Sequence, residues 1–310
     1  MSAESGNTAI GTTATVEAVA PGAGRFAPSP SGALHLGSLA TATASFLDAR
    51  HRGERWLVRI EDIDAARAVP GAADSILRSL ESLGFWWDGP VAYQSQRLTF
   101  YQQALDTLVS RGLAYECSCT RSDRGSTSDS GGYPGRCRHG VQRPGPTATR
   151  FRSDLSPVGP FIDELHGLTD FDAQALGDPI VRRRDGCFAY QLAVVVDDAA
   201  QGVTRVVRGD DLLPSTYWQR SLLRAFGLPE PRYAHLPLVC EPDGAKLSKS
   251  QSTFMARDEP PAHQLWRILR LLRQTPPTEL AQGPVGTLWA WAIAHWRLDA
   301  LRGVATLPAD

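Results

Sequence analysis

The spacing of apolar residues changes period along the chain, and each change marks an element. From Arg25, "RFAPSPSGALHLGS" reads as a strand end, a tight turn of Pro, Ser and Gly, then a helix over 37–52 stopped by Gly53. "RWLVRIEDID" is an apolar, partly β-branched run ending in acids, which predicts a buried parallel strand. Strand, turn, helix, strand is a βαβ unit. Helical spacing returns over 72–83 and 98–111, closed by Gly84 and Gly112. Residues 121–146 are rich in Gly, Ser, Asp, Arg and Pro with little periodicity, the mark of an irregular insertion. The α/β pattern then resumes, with strands expected near 147–152, 188–197 and 203–208 and a helix over 214–226 before Gly227. Two amphipathic helices follow, roughly over 260–273 and 285–302, and no repeat is visible.

An open parallel sheet binds ligands beyond the carboxyl ends of its strands. The turn after Arg25, the acids after the second strand and Arg208 at a later strand end are therefore expected to converge. In "PSPSGALHLGS" the small residues let backbone approach a ligand. Gly37 opens a helix whose free N–H groups favour an anion, and His35 can donate to a phosphate or simply cap the helix. Neither G-x-x-x-x-G-K-[ST] nor a strand-linked G-x-G-x-x-G occurs, which disfavours P-loop NTPases and dinucleotide-binding dehydrogenases.

Composition narrows the picture. With 310 residues, 42 % of them hydrophobic, the chain can bury a core of one to two domains. A formal charge of −1 gives no general pull on a polyanion, so any RNA contact must come from local patches. No apolar run approaches the roughly 18 residues of a membrane span. Residues 1–24 are small and polar, lack a positive start, and are expected to be a disordered tail. Five cysteines, three of them clustered, favour a metal site in a reducing compartment over a disulfide framework. A cytoplasmic monomer is the expectation.

The two lysines, Lys246 and Lys249, stand three apart in "DGAKLSKSQS", against thirty arginines elsewhere. Lysine is a compact charge on a flexible stem that can follow a moving group. Paired with the His35 turn, such a loop suits a nucleotide attacked at its α-phosphate, because charge then grows on the phosphoryl oxygens and the leaving pyrophosphate.

These stretches, in this order, resemble the class I aminoacyl-tRNA synthetases. "HLGS" at 35–38 is similar to their HIGH signature and "KLSKS" at 246–250 to KMSKS. "RFAPSPSG", "RIEDID", "YQLAVVVDD" and "VVRGDDLL" are similar to the glutamyl branch, so the resemblance covers about residues 24–300. Glutamyl-tRNA synthetases continue after KMSKS with a long helical region that reads the anticodon, whereas about 60 residues follow here. Truncated cores of this kind resemble the glutamyl-queuosine tRNA(Asp) synthetases, which attach glutamate to the queuosine base at the wobble position.

The resemblance implies an α/β fold: a Rossmann-like catalytic domain in two halves, 25–112 and 187–250. An acceptor-type, zinc-bearing insertion at 113–186 separates them, and a short helical extension at 251–310 follows. It implies that Arg25, Ser29, Glu61, Tyr190 and Arg208 line a glutamate site. Arginine forks suit a dicarboxylate, and one carboxylate, Glu61, suits the ammonium. Arg59, Asp62 and Asp64 are equally able to pair with neighbours. His35, Gly37 and Lys249 would hold ATP, with Mg²⁺ accompanying the pyrophosphate, and His35, Lys246 and Lys249 would assist the chemistry. The partners implied are L-glutamate, ATP and queuosine-containing tRNA(Asp), with no membrane.

Cys117, Cys119 and Cys137 offer three thiolates to one tetrahedral Zn²⁺ per chain and leave a fourth position. General ligand chemistry favours His139, two residues beyond Cys137. The family's C-x-C then Y-x-x-x-C pattern implies Tyr133 instead, which is the expected fourth ligand, with His139 as the alternative. Cys187 and Cys240, and the tryptophans of "WW" at 86–87 and "WAW" at 289–291, read as core. Residues 121–152 hold seven arginines against two acids, and Arg182, Arg183 and Arg184 form a triplet; these are candidate phosphate contacts. Alternative functions are a compact glutamyl-tRNA synthetase charging a 3′ end, a non-catalytic RNA-binding paralogue, and a nucleotidyltransferase acting on a small molecule.

Overall fold

The computed structural model describes residues 22–120, 123, 132–240 and 259–309. Most of the expected tail, Lys246 and Lys249 lie outside the described residues. In chain order the first elements are β1 (Ala23–Phe26), α1 (Leu36–His51), β2 (Arg55–Ile60), α2 (Ala72–Ser82), β3 (Ala92–Tyr93) and α3 (Leu98–Ser110). Ala23 and Gly24, expected in the tail, already belong to β1. A middle segment adds β4 (Ala114–Cys117), β5 (Ala148–Phe151), β6 (Phe161–Asp163), β7 (Gly167–Thr169), α4 (Ala173–Leu176) and β8 (Ile180–Arg182). Then come α5 (Tyr190–Ala200), β9 (Arg205–Gly209), α6 (Ser215–Phe226), β10 (Arg232–Leu236), β11 (Leu238–Cys240), α7 (Pro261–Leu271), α8 (Val285–His295) and β12 (Thr306–Pro308).

The main sheet consists of two ladders, β3-β2-β1 and β9-β10-β6-β7, joined by a parallel bridge between Ala23 and Val203. Every pairing in it is parallel except that of β7 with β6. The strand order reverses between β1 and β9, which is the topological switch point where such sheets bind ligands. β4, β5 and β8 form a separate antiparallel sheet. The β6–β7 hairpin, inside the stretch expected as an insertion, returns to the main sheet beside β10.

Strand alternation divides this sheet into two unlike faces. Phe26, Val58, Ile60, Val207, Ala234 and Leu236 pack with α1, α7 and α8 in the largest core, so the C-terminal helices are part of the domain's body. The opposite face carries Leu57, Val206 and Tyr233 in a small apolar cluster. By the same alternation it also carries Arg25, Arg59, Arg208 and His235, all buried. Trp289 is buried in the large core as expected, while Trp86 is 45 % exposed, meeting Phe46 and Trp289 in T-shaped contacts with the Arg50 guanidinium over its ring.

The run expected as a strand at 188–197 is helix α5. Its valines favour strands by tenths of a kcal/mol per residue, about the size of such propensities. Tertiary pairing outweighs this: the helix buries Leu192, Val194 and Val195 against α3 and α6. It also sets Asp197 and Asp198 beneath the buried arginines of β1 and β2. The last expected helix is shorter than its pattern, ending at His295 before a 3₁₀ turn at Leu298–Leu301.

Candidate active site

Arg25, Ser29, Glu61, Tyr190 and Arg208 line one cavity of about 410 Å³ at the carboxyl ends of β1, β2 and β9. Each arrives by a local rule. Arg25 is the penultimate residue of β1, Glu61 follows the last residue of β2, Tyr190 opens α5, and Arg208 is the penultimate residue of β9. Ser29 lies in the turn after β1, whose carbonyl at Pro28 accepts the Glu61 amide. Thr41 and Arg67 also line the cavity, and nothing in their sequence context marked them.

The charges behind the cavity are paired. Arg25 Nε donates to both oxygens of Asp198, at 3.3 and 3.2 Å, and its Nη groups have no hydrogen-bond partner among the described residues. Arg59, fully buried, donates from Nη1 to Asp198 at 2.7 Å and to Gln201 at 2.6 Å, and from Nη2 to Glu61 at 3.3 Å. Its Nε lies 3.7 Å from Asp197, whose oxygens also accept from Gln94, Arg97 and Tyr101. Burial alone would lower the Arg59 guanidinium, but Asp198, Glu61 and Asp197 hold it above its ordinary value. Asp198 is held low despite burial, because Arg25 and Arg59 both face it. Glu61 is pushed up by burial, which its single 3.3 Å bond to Arg59 does not offset. A carboxylate in that state gains most from an added cation, such as an ammonium group, in the cavity.

Arg208 uses every donor it has. Nε donates to His235 Nε2 at 3.1 Å; Nη1 donates to Gln219 at 2.7 Å and Tyr190 at 3.3 Å; Nη2 donates to Thr216 at 2.9 Å and the Leu212 carbonyl at 3.3 Å. The two longest bonds go to Tyr190 and Leu212, both of which line the cavity.

Next to this cavity, the turn from Phe26 to His35 borders a second one of about 590 Å³. His35 caps α1, its Nδ1 accepting the Ser38 amide at 3.3 Å, and it faces both that cavity and a third one of about 340 Å³. A Cβ on Gly37 would lie 3.2 Å from the His35 ring, so the glycine gives the imidazole its place over the first turn. The third cavity is walled by Leu236 to Val239 and by Leu307 of β12. Lys246 and Lys249, expected here, lie outside the described residues.

The sulfurs of Cys117, Cys119 and Cys137 lie within 4.8 Å of one another. The Tyr133 hydroxyl sits 3.4 Å from Cys119 Sγ and accepts the Cys137 amide at 2.9 Å, while His139 is exposed and outside the cluster. A tetrahedral zinc with ordinary Zn–S and Zn–O lengths would set oxygen and sulfur about 3.5 Å apart. Burial and the three thiol neighbours push the Tyr133 phenol up, so a phenolate there needs a nearby cation. The Arg150 guanidinium, 3.8 Å from the ring centroid, supplies part of that field. Of the other two cysteines, Cys240 is buried and Cys187 is half-buried.

The arginines read as phosphate contacts are largely engaged within the fold. Arg138 pairs with Asp178 and Asp154, Arg143 with Asp123, Arg152 with Asp154, and Arg183 with Asp64 and Asp185. Arg184 donates to the carbonyls of Ser118 and Cys119, fastening the cysteine loop to the turn before α5. Arg121 and Arg124 lie outside the described residues.

A family model described as "tRNA synthetases class I (E and Q), catalytic domain" matches residues 23–277. The chain belongs to this family. It is 48 % identical over 299 residues to a glutamyl-Q tRNA(Asp) synthetase of Dechloromonas aromatica, covering 93 % of this chain and 99 % of that one. A glutamyl-Q tRNA(Asp) synthetase of Pseudomonas paraeruginosa is 47 % identical, over 93 % and 97 % of the two chains. Among solved structures, a glutamate tRNA ligase from Elizabethkingia meningosepticum in complex with its amino acid superposes with a TM-score of 0.77 at 25 % identity. That match covers 94 % of this chain and 67 % of the ligase. In this class I synthetase the switch-point cavity and the His35 turn thus fall where the family's catalytic domain is matched.

Proposed function

We propose that this chain activates L-glutamate with ATP and transfers the glutamyl group to the queuosine base at the wobble position of tRNA(Asp). The observation that carries the amino-acid half is the 410 Å³ cavity, whose lining combines Arg25, Arg67 and Arg208 with one under-compensated carboxylate, Glu61. A dicarboxylate with one ammonium group complements that charge pattern. Arg25 and Arg208 bind the carboxylates, Glu61 takes the ammonium, and Ser29 and Tyr190 fix orientation. The relatives named glutamyl-Q tRNA(Asp) synthetase, matched almost end to end, support the acceptor.

In the first step the glutamate α-carboxylate attacks the α-phosphate of ATP, the P–O bond to pyrophosphate breaks, and glutamyl-adenylate forms. His35, Gly37 and the α1 N-terminus hold phosphate, Lys246 and Lys249 follow the growing charge, and Mg²⁺ travels with pyrophosphate as part of the substrate. In the second step a cyclopentene hydroxyl attacks the acyl carbon, giving the ester, AMP and a proton. The chemistry needs alignment and charge stabilisation rather than a protein nucleophile. A cavity of about 270 Å³ shares Ser29, Glu61 and Tyr190 with the glutamate site and offers room for the acceptor.

The test is ATP-dependent transfer of labelled glutamate to tRNA from cells that make queuosine and from cells that do not. Incorporation with the first pool alone is expected; equal incorporation with both would mean 3′ charging and would overturn the acceptor.

Cys117, Cys119, Cys137 and Tyr133 would hold one structural Zn²⁺, a role in which the metal supplies folding energy to an insertion poor in apolar contacts. The purified protein is expected to carry one zinc per chain. Tyr133→Phe should weaken zinc retention against a chelator at least tenfold, and His139→Ala should leave it unchanged; the reverse pattern would make His139 the ligand.

A further inference from the structure

His235 and Asp163 are wholly buried on the polar face of the main sheet, and neither contributes to the cavity lining described above. Asp163 ends β6 and His235 is the fourth residue of β10, neighbours through the parallel pairing of those strands. His235 Nδ1 lies 2.7 Å from Asp163 Oδ2. The other carboxylate oxygen accepts the backbone amides of Leu165, His166 and His235 at 2.9, 3.1 and 3.4 Å. The hydrogen bond from the His235 imidazole first, and then those from the Leu165 and His166 amides, outweigh burial and hold the Asp163 carboxyl below its ordinary value, so it acts as an acceptor and the Nδ1 proton resides on the imidazole. Burial, aided by the Arg208 charge, lowers His235 to about 4, so the ring is neutral at physiological pH and its Nε2 carries a lone pair. Arg208 Nε donates to that nitrogen at 3.1 Å.

The rest of the inner edge of Arg208 is fixed in the same way. Gln219 accepts from Nη1 while its own amide donates to Gln191 at 3.0 Å, and Thr216 accepts from Nη2 at 2.9 Å. The two donors left on 3.3 Å bonds are those directed at Tyr190 and Leu212, on the cavity side.

We propose that the Asp163–His235 pair is a positioning relay for glutamate recognition. The carboxylate sets the imidazole tautomer, and the tautomer presents an acceptor to Arg208 Nε. The guanidinium is thereby held with its two cavity-side N–H groups ready to exchange Tyr190 and Leu212 for a substrate carboxylate. His235 is a positioning residue, since it touches Arg208 and not the ligand. The inference rests on the glutamate reading of the cavity.

The experiment compares Asp163→Asn, His235→Phe and His235→Gln with the wild-type chain in glutamate-dependent ATP–pyrophosphate exchange, with tRNA added if activation requires it. In Asp163→Asn the amide NH₂ faces Nδ1 and shifts the ring proton to Nε2, setting donor against donor at Arg208. His235→Phe keeps the shape and removes the acceptor, whereas His235→Gln retains one donor and one acceptor. Asp163→Asn and His235→Phe should raise the glutamate KM at least tenfold with the ATP KM within about threefold, and His235→Gln should recover most of the loss. Equal glutamate KM values in the Phe and Gln variants, whether both normal or both impaired, would overturn the relay. If the wild-type chain itself activates no glutamate, the reading of the cavity fails instead.

Discussion

Replacing Arg59 with methionine is expected to lower unfolding stability by about 3–5 kcal/mol, the usual cost of removing one partner from a buried charge network. Arg59 is the shared cation of three acids: it bonds Asp198 and Glu61 and lies 3.7 Å from Asp197. Methionine fills much of the same space and leaves all three with less compensation. Asp197 keeps Arg97 and Asp198 keeps Arg25, so the network is weakened rather than emptied. In the wild type, Asp198 is depressed below its unfolded value, so its contribution is present above the unfolded carboxylate range and is lost as pH falls through the folded value. Without Arg59 that contribution shrinks, so the deficit should be largest at neutral pH and should narrow only as pH falls below about 4, towards the depressed folded value of Asp198. Urea unfolding at several pH values measures it. A loss under 1 kcal/mol at neutral pH, or a deficit that grows on acidification, would refute the shared-cation account. Adding Asp198→Asn to Arg59→Met should recover part of the loss, because the two sites are in direct contact.

Arg208→Lys should lower kcat/KM for glutamate by roughly 100-fold or more, about 3 kcal/mol, while the KM for ATP changes little. Lysine keeps the charge, so the prediction separates geometry from charge. The guanidinium makes five hydrogen bonds in one plane, and an ammonium with three donors cannot serve His235, Gln219 and Thr216 and still present a fork to the cavity. The vacated acceptors would be left buried, which adds to the loss. Glutamate-dependent pyrophosphate exchange across a substrate series gives the ratio. A decrease below about fivefold would mean that the arginine contributes only its charge, and the bidentate reading would be wrong.

The βαβ start, the stopping glycines and the irregular character of the described part of the cysteine segment, 132–146, were legible in the sequence, because each follows from local rules of period and backbone freedom. So were five of the residues that line the cavity, through resemblance of short motifs to a family, while Thr41 and Arg67 were not. The valine run at 194–196 misled for a physical reason: its propensity is local, whereas the burial of Asp198 beneath Arg59 and Arg25 is decided by residues 139 and 173 positions away. Two acids ending an apolar run were the available signal. Likewise, sequence chemistry left His139 and Tyr133 open as metal ligands, and the turn at 133–137 brings the phenol, not the imidazole, to the thiols.

The sequence by itself determined which residue types stand at the strand ends, since parallel strands announce their length and their boundaries by local pattern. Only the tertiary structure decided that Arg25, Arg59, Arg208 and His235 share one face of one sheet. That required strands far apart in the chain to pair in one register, and a shift by a single residue would have turned each arginine into the apolar core.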